Sequence, residues 1–468
     1  MEFSFMTIIQ LVIVLGGIFL GARFGSIGIG FAGGFGVLVL ALFGTPVSQS
    51  HIAMDVILII MSVISAIAAM QVAGGVDWLV VQAERLLRKH PKYITYFAPL
   101  ITFGMTMMAG TGHTAFSTLP VIAEVAKEQG VRPSRPLSIA VVSSQIAITA
   151  SPISAAVVFL ANLLEANSPS VNVATLSDAN QKLLTMVDGV HKTLPMDVGY
   201  LDILAVCVPT ALLAVILTSF VTNFLGCELK DDPVYKDRLA KGLVTTRGVG
   251  NIELKPGAST SVLIFVIAIV AVMCYATAIS GKVGLIKNPV LDRDSAIIAF
   301  MLTAATAITL FCRIEAAQVL NAATFKSGMS ACICILGVAW LGTTFVKANE
   351  QLIMELAGSL LTSMPWILAV VLFFASMLLY SQAATARTLM PLALVAGASP
   401  VSVLASFAAV SALFILPTYP TLLAAVEMDD TGSTRIGKYV LNHPFIIPGT
   451  VCIILAVVFG FIWGGIYL

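Results

Sequence analysis

A segment that reads "MAGTGHTAFSTLP" (residues 108–120) interrupts a long apolar run with glycines, hydroxyls and a histidine. Hydroxyl groups, an imidazole ring and the main-chain amides of a glycine turn all donate hydrogen bonds to an anion. His113 could instead carry a coupled proton or bond to its own turn. Ser117 and Thr118, further along, are expected to bond back to helix carbonyls. The candidate ligand-binding residues of this segment are therefore Thr111, Gly112, His113 and Thr114.

A second polar interruption, "YSQAATART" (residues 380–388), places an arginine within an apolar run. A charged side chain at the centre of a membrane helix costs at least about 2.5 kcal/mol, so it usually faces a protein interior or a wet pathway. A guanidinium can grip a carboxylate with two parallel hydrogen bonds. We expect Arg387 to lie about two residues past a turn near Ala384, although snorkelling or pairing with a structural carbonyl would also explain it. The candidate residues here are Ser381, Gln382, Thr385 and Arg387.

Proline breaks two further apolar runs, at "ASPIS" and "PTYPT". Ser151 is a natural N-cap with Pro152 at the first helical position, and Thr418 or Tyr419 precedes Pro420 in the same way. The N-terminus of such a half-helix carries about half a positive charge and free amide donors, which suits an anion. The candidate residues at the two breaks are Ser151, Ser154, Thr418 and Thr421.

The elements that must position these residues are membrane helices. The 468-residue chain is 58% hydrophobic and only 10% charged, with a mean hydropathy of +0.99, whereas a soluble domain has about 25% charged residues. Apolar runs of about 20 residues recur along it, each long enough to cross a bilayer core. The net charge of +1 argues against nucleic-acid binding. The seven cysteines have no spacing suited to zinc or disulfides, so we expect no metal and no cofactor.

Basic residues orient the chain. "QAERLLRKHPK" (residues 82–92) places four of them in a short loop, which the positive-inside rule assigns to the cytoplasm. Threading from this loop gives about ten full spans, with both termini periplasmic. Basic residues also follow the run at 93–126, so this run is expected to return as a re-entrant hairpin instead of crossing. Its second arm should begin just after Gly112, and that of a matching hairpin should begin near Ala384.

The sequence therefore predicts an all-α membrane protein with an inverted structural repeat. Its expected parts are a first repeat at 1–225 (hairpin about 93–126, broken span 137–165), a cytoplasmic linker at 226–258, and a second repeat at 259–468 (hairpin about 365–397, broken span 399–427). Inverted repeats with broken helices are typical of secondary transporters, which bind their substrates where the helices break. Unpaired backbone survives in a membrane only beside protein or a wet cavity, so the four interruptions should mark a cavity.

Acidic residues narrow the class further by their positions. All those near the spans fall within a few residues of a span end: Asp55, Asp77, Glu124, Asp202, Glu315 and Glu427. A sodium/proton exchanger or an aspartyl intramembrane protease would need a carboxylate pair in mid-membrane. A membrane serine protease that uses His113 is an alternative, but no G-x-S-x-G turn is present to hold its nucleophile.

Three segments, "GTGHTAFSTLPVIAEVAKEQGVRPSRPLS", "SQIAITASPISAA" and "YSQAATARTLMPLAL", closely resemble the anaerobic C4-dicarboxylate transporter family of bacteria (DcuA/DcuB type). The resemblance covers essentially the whole chain. It implies uptake, efflux or exchange of fumarate, succinate, malate and aspartate across the inner membrane of a Gram-negative bacterium. The family belongs with the wider ion transporter superfamily, which implies a homodimer and an elevator-type transport domain that carries both hairpins.

Two transport mechanisms are compatible with these features. The first is exchange of one C4-dicarboxylate for another. The alternative is a symporter, coupled to H⁺ or Na⁺, of C4-dicarboxylates or of another carboxylate such as citrate.

Overall fold

All regular elements that the structure describes are helical. The computed structural model describes residues 5–24, 27–52, 54–164, 198–244, 254–279, 283, 285–349, 352, 364–395, 398–416, 419–437 and 442–468. Thr418 and most of the predicted external loop at 166–200 lie outside these residues.

The first half of the chain contains nine labelled helices. They are α1 (Phe5–Phe24), α2 (Gly28–Leu42), α3 (Met54–Val72), α4 (Gly75–Lys89), α5 (Ile94–Ala109), α6 (Leu119–Glu128), α7 (Ser134–Ile146), α8 (Ala155–Leu164) and α9 (Tyr200–Thr222). A 3-10 turn, Gly112–Ser117, lies between α5 and α6, and a second one, Ala147–Ala150, extends α7. The helical run is therefore interrupted between α5 and α6, and again between α7 and α8.

The second half contains ten labelled helices. They are α10 (Pro233–Ala240), α11 (Ala258–Ala278), α12 (Arg293–Phe311), α13 (Ala323–Cys334), α14 (Trp340–Ala348), α15 (Ile367–Leu379), α16 (Gln382–Val395), α17 (Pro400–Ser406), α18 (Pro420–Met428) and α19 (Ile446–Tyr467). A π-helical stretch, Ile335–Ala339, joins α13 to α14, and a 3-10 turn, Phe407–Ser411, extends α17. The helical run is interrupted here between α15 and α16, and again between α17 and α18.

The prediction of a short loop at 82–92 is wrong for most of this segment. Residues 75–89 form α4, which packs its apolar side inward through Val76, Val80 and Leu87. Apolar residues at three- and four-residue spacing give this amphipathic helix, and the run of basic residues obscures that spacing. The helix follows Gly74 in the left-handed conformation (φ +87°) and is bent by 75° from the end of α3.

Close contact between α2 and the π-helical stretch depends on glycine. A Cβ added at Gly33 would lie 2.3 Å from the carbonyl carbon of Gly337, and one added at Gly30 would lie 2.3 Å from the oxygen of Ile333. Main chain therefore packs directly on main chain, as small residues allow between membrane helices. The contact positions two residues that face the cavity described below, Ile29 and Ile335.

Six helical segments among the described residues are long and apolar enough to cross a membrane, and the bent pair of α3 and α4 is a seventh candidate. Four shorter apolar helices begin at Phe5, Gly28, Ile367 and Pro400. These lengths and compositions make the chain a multi-pass membrane protein. The ten full spans expected from the sequence stay a prediction.

Arg132, just before α7, and Arg135, in its first turn, bond to the segment that follows α9. The guanidinium of Arg135 donates to the main-chain oxygens of Leu225 and Gly226, which follow α9, at 2.9 and 3.0 Å. Arg132 pairs with the buried Asp232 at 2.9 Å. Because Asp232 is also the N-cap of α10, these contacts anchor the beginning of the segment that is predicted to be a linker.

Candidate substrate site

A cavity of about 70 Å³ lies where the four interruptions meet. That volume holds about five waters, the scale of a small organic acid. Each interruption contributes lining residues: Gly110 and Thr111, then Ile148, Ala155 and Ala156, then Tyr380, Ser381, Gln382 and Ala383, and finally Tyr419 and Pro420. Helices from outside the interruptions complete the wall with Ile29, Ile60, Cys334 and Ile335.

Glycine allows the first turn to pack on the first broken span. Gly110 ends α5 in the left-handed conformation (φ +67°), and a Cβ there would lie 3.1 Å from the main-chain oxygen of Ile153. A Cβ at Gly112 would lie 3.1 Å from the oxygen of Ser144. Larger residues would push the turn away from the break, so the two glycines shape the cavity and do not supply side chains to it.

More hydroxyls of the first turn bond to main-chain oxygens than the sequence predicts. Ser117 and Thr118 donate to the main-chain oxygens of Thr114 and Ala115, as predicted. Thr114, expected to contact a ligand, does the same: its hydroxyl donates to the oxygen of Thr111 at 3.2 Å. Thr111 lines the cavity and Thr114 does not. His113 lies within the 3-10 turn, and its side chain is outside the described set.

At the first break, the predicted N-cap is wrong by three residues. Helix α8 begins at Ala155, and its first turn is capped by Ser154, whose Oγ accepts from the amide of Val157 at 3.2 Å. Ser151 instead donates its hydroxyl to the oxygen of Met107 in α5 at 2.7 Å. Pro152 therefore lies within the break and not at the first helical position. The reason is that a turn at residues 152–153, in which the Ser154 amide donates to the Ser151 oxygen at 3.3 Å, comes before the helix.

The second turn is tighter than the first. Tyr380 adopts the left-handed conformation (φ +54°), which is uncommon for a residue other than glycine. Helix α16 begins at Gln382, two residues before the predicted start near Ala384. Ser381 caps it by accepting from the amide of Ala384 at 3.2 Å. Thr385 points back into the helix and donates to the oxygen of Ser381 at 2.7 Å.

Tyr380 is a cavity residue that the sequence reasoning missed. It is 8% exposed, it lines the cavity, and its hydroxyl has no hydrogen-bond partner among the described residues. Strained backbone and an unpaired buried donor are both features that cluster at binding sites. The sequence signal was the tyrosine directly before a polar turn, where a glycine would ordinarily make the turn.

The second break matches its prediction where the structure describes it. Pro420 is the first residue of α18 and Tyr419 occupies the N-cap position. Thr421 is fully buried, and its hydroxyl has no partner within the described set. Tyr419 and Pro420 line the cavity.

Three helix N-termini face this cavity. Lining residues stand at the beginning of α8, of α16 and of α18. The first-turn amides of a helix have no acceptor within it, and the helix dipole adds positive potential at the same point. The lining set contains no Asp, Glu, Lys or Arg. The arrangement therefore suits a small anion held by main-chain amides and hydroxyls.

Arg387 is further from the turn than predicted. Because α16 begins at Gln382, Arg387 lies five residues into it, about 7.5 Å along the axis. Arg387 does not line the cavity, but it lies one helical turn beyond Ala383, which does line it. Side chains of a helix lean towards its N-terminus, so the guanidinium leans towards the cavity.

A larger cavity of about 300 Å³ lies on the other side of the first turn, between α3, α4, α5 and α11. Its wall is largely apolar and includes Met70, Met105, Met108 and Met428. The Gln71 side chain there accepts from the amide of Thr324 at 3.0 Å, and so is already bonded to the protein. Thr114 and Ser117 also line this cavity, and their hydroxyls already donate to the main-chain oxygens of Thr111 and Thr114.

Fold and site together define a multi-pass membrane protein with a small cavity between broken helices, the form of a solute transporter. A family model described as anaerobic C4-dicarboxylate membrane transporter matches residues 6–468. The chain belongs to this family, which confirms the resemblance seen in its motifs. It is accordingly a transporter and not an enzyme.

Relatives cover nearly the whole chain. The C4-dicarboxylate transporter DcuA of Wolinella succinogenes is 58% identical over 463 residues, covering 99% of this chain and 100% of the relative. DcuA of Escherichia coli K12 is 55% identical over 464 residues, with the same coverage. The anaerobic C4-dicarboxylate transporter DcuB of Escherichia coli O6:H1 is 32% identical over 467 residues, 98% of each chain.

A solved structure shares the fold. The crystal structure of the Alcanivorax borkumensis YdaH transporter, described as having an unusual topology, aligns with a TM-score of 0.51 over 98% of both chains. Its sequence is 14% identical. The likeness concerns the fold alone.

Proposed function

We propose that this protein exchanges C4-dicarboxylates, among them fumarate, succinate, malate and aspartate, across the bacterial inner membrane. The observation that carries the proposal is the convergence of four chain interruptions on one cavity lined by three helix N-termini. The names of the relatives supply the chemical class of the substrate. None of the described residues that line the cavity is acidic, and exchange needs no coupling cation.

In the proposed complex, the two carboxylates lie near the helix N-termini on opposite sides of the cavity. Thr111, Ser381 and the Tyr380 hydroxyl donate to them directly, and Gln382 does so through its amide. Arg387 supplies a counter-charge from one turn away. Ser151, Ser154 and Thr385 hold the main chain in place, since their hydroxyls already bond to carbonyls. Gly112, His113, Thr114, Thr418 and Thr421 complete the proposed surroundings.

The two halves are proposed to form an inverted repeat with two re-entrant hairpins, α5–α6 and α15–α16. Reciprocal packing supports this: the third helix of the first half, α3, packs on α12, and the corresponding π-helical stretch of the second half packs on α2. The closing helices α9 and α19 also pack on each other. Exchange of equivalent partners between halves is what a pseudo-two-fold axis produces.

Movement is proposed to be of the elevator type. The hairpins and broken spans would move together against α1–α3 and α11–α14, in a homodimer with both termini periplasmic. Contacts between the second turn and the broken spans, such as Gln382 Nε2 to the oxygen of Gln145 at 3.3 Å, support a single moving unit. Ile29, Ile60 and Ile335 would then form the apolar surface along which the cavity slides.

Counterflow in proteoliposomes tests the exchange. Vesicles loaded with unlabelled succinate should take up labelled fumarate several times faster than empty vesicles, without an ion gradient. Uptake that depends on an imposed H⁺ or Na⁺ gradient and ignores internal succinate would contradict exchange and favour the coupled symporter. Competition by citrate but not by fumarate would reject the C4-dicarboxylate site itself.

A further inference from the structure

Gln145 is a buried amide at the crossing of the two broken spans. It is the last residue but one of α7 and is 1% exposed. Its main-chain oxygen accepts from Gln382 Nε2 at 3.3 Å and from Ser411 Oγ at 3.2 Å. Gln382 belongs to the second turn and Ser411 ends the 3-10 extension of α17, so Gln145 contacts both interruptions of the second half.

The side-chain amide of Gln145 has no partner of its own. Neither Oε1 nor Nε2 bonds to any group in the described part of the chain. A buried amide without hydrogen bonds is destabilising, and native proteins pair nearly all such groups. Main-chain bonding explains the position of the residue but not the amide at its end. A ligand that offers both an acceptor and a donor would satisfy it.

Gln145 lies next to residues that line the substrate cavity. Ile148, three residues further on and on the same side of the helix, lines that cavity. Gln382, which bonds to the Gln145 carbonyl, lines it as well. Gln145 itself does not line the cavity, so its side chain must rotate for the amide to reach the wall between the first break and the second turn.

The chemistry of an amide distinguishes among C4-dicarboxylates. Nε2 donates and suits a carboxylate oxygen, but Oε1 only accepts and needs a proton from the ligand. An ionised carboxylate has no proton to donate. An ammonium or hydroxyl group on the carbon next to the carboxylate has one, and it lies at the right separation for both amide atoms to bond at once.

We propose that Gln145 is a specificity-determining residue, which favours C4-dicarboxylates that carry an amino or hydroxyl group on C2 over unsubstituted ones. The inference rests on the proposed function, because it assigns a role to Gln145 within the same substrate site. Aspartate and malate carry such a group, whereas succinate and fumarate do not.

Competition against labelled fumarate uptake tests the proposal, with Gln145→Met as the variant because it keeps the length and approximate volume of the side chain. The inhibition constants of aspartate and malate should rise about 10-fold or more, the cost of an unpaired polar group in a binding site. That of succinate should rise clearly less, since succinate loses only the Nε2 bond to a carboxylate, which it shares with the other two ligands. Gln318→Met, at an exposed glutamine that bonds to Glu315 at 3.0 Å, is the matched control and should change none of the three.

A second variant, Gln145→Glu, keeps an acceptor oxygen and should still favour aspartate over succinate; it also serves if the methionine variant fails to fold. Equal losses for all three competitors in Gln145→Met, or no loss for any, would overturn the proposal. So would wild-type protein that takes up fumarate but is inhibited by neither aspartate nor malate. Wild-type protein without fumarate uptake would instead refute the proposed function.

Discussion

Removing one oxygen atom from Tyr380 should weaken substrate binding without harming the protein. The hydroxyl is buried, faces the cavity and has no partner among the described residues. Tyr380→Phe therefore breaks no hydrogen bond in the substrate-free protein, and relieves a desolvation cost of about 1–3 kcal/mol. In the complex, a hydrogen bond from this hydroxyl to a carboxylate is worth about 1.5–3 kcal/mol. Its loss corresponds to an increase in KM for fumarate of about 10- to 150-fold.

Two measurements on the same preparation test this reasoning. Fumarate uptake in proteoliposomes gives the KM, and thermal unfolding in detergent, with and without fumarate, gives the stability of each state. The variant should unfold at the same temperature as wild type or higher without fumarate, and should gain less from adding it. Tyr275→Phe, whose hydroxyl bonds to Leu291 outside the cavity, is the control and should leave KM unchanged. An unchanged KM in Tyr380→Phe, or a loss of stability without fumarate, would refute the assignment.

Three other predictions address the packing, the linker and the charge. Gly33→Ala should lower the unfolding temperature by several degrees, since its Cβ would lie 2.3 Å from Gly337. The control Gly34→Ala, whose Cβ would have nothing within 4 Å, should be neutral or stabilising. Equal effects of the two variants would contradict the close contact. Asp232→Ala removes a buried ion pair and an N-cap, so the free energy of unfolding should fall by about 3 kcal/mol and proteolysis of the predicted linker should become faster. The control Asp237→Ala, at an exposed ion pair, should change the stability and the proteolysis rate little. Arg387→Ala should reduce fumarate transport at least about 10-fold, because it removes a counter-charge one turn from the substrate. Arg387→Lys keeps the charge and should reduce transport less. Wild-type transport by Arg387→Ala would show that Arg387 is not part of the site.

The interruptions could be predicted from the sequence because proline and glycine have positional meaning. Proline cannot continue a helix and is stable at its first turn, so "PTYPT" located the beginning of α18 at Pro420. Glycines in an apolar run located the first turn, where Gly110 and Gly112 pack against the break. Unpaired backbone within a membrane then implied a cavity.

Contacts that depend on distant partners could not be predicted. Ser151 is a good N-cap in isolation, but it donates its hydroxyl to the oxygen of Met107, and a turn at residues 152–153 places the cap of α8 at Ser154. Tyr380 adopts a conformation that local preference disfavours, because the surrounding packing holds it there. Because Tyr380 makes the turn, α16 begins two residues earlier than predicted, and Arg387 lies correspondingly further from the turn.

A structure determined by cryo-electron microscopy with fumarate bound tests the central claim most directly. Ligand density is expected between Thr111 of the first turn and Tyr380 of the second, within contact of the N-termini of α8 and α18. Density in the methionine-lined cavity beside α4, with the space between the two turns empty, would contradict it.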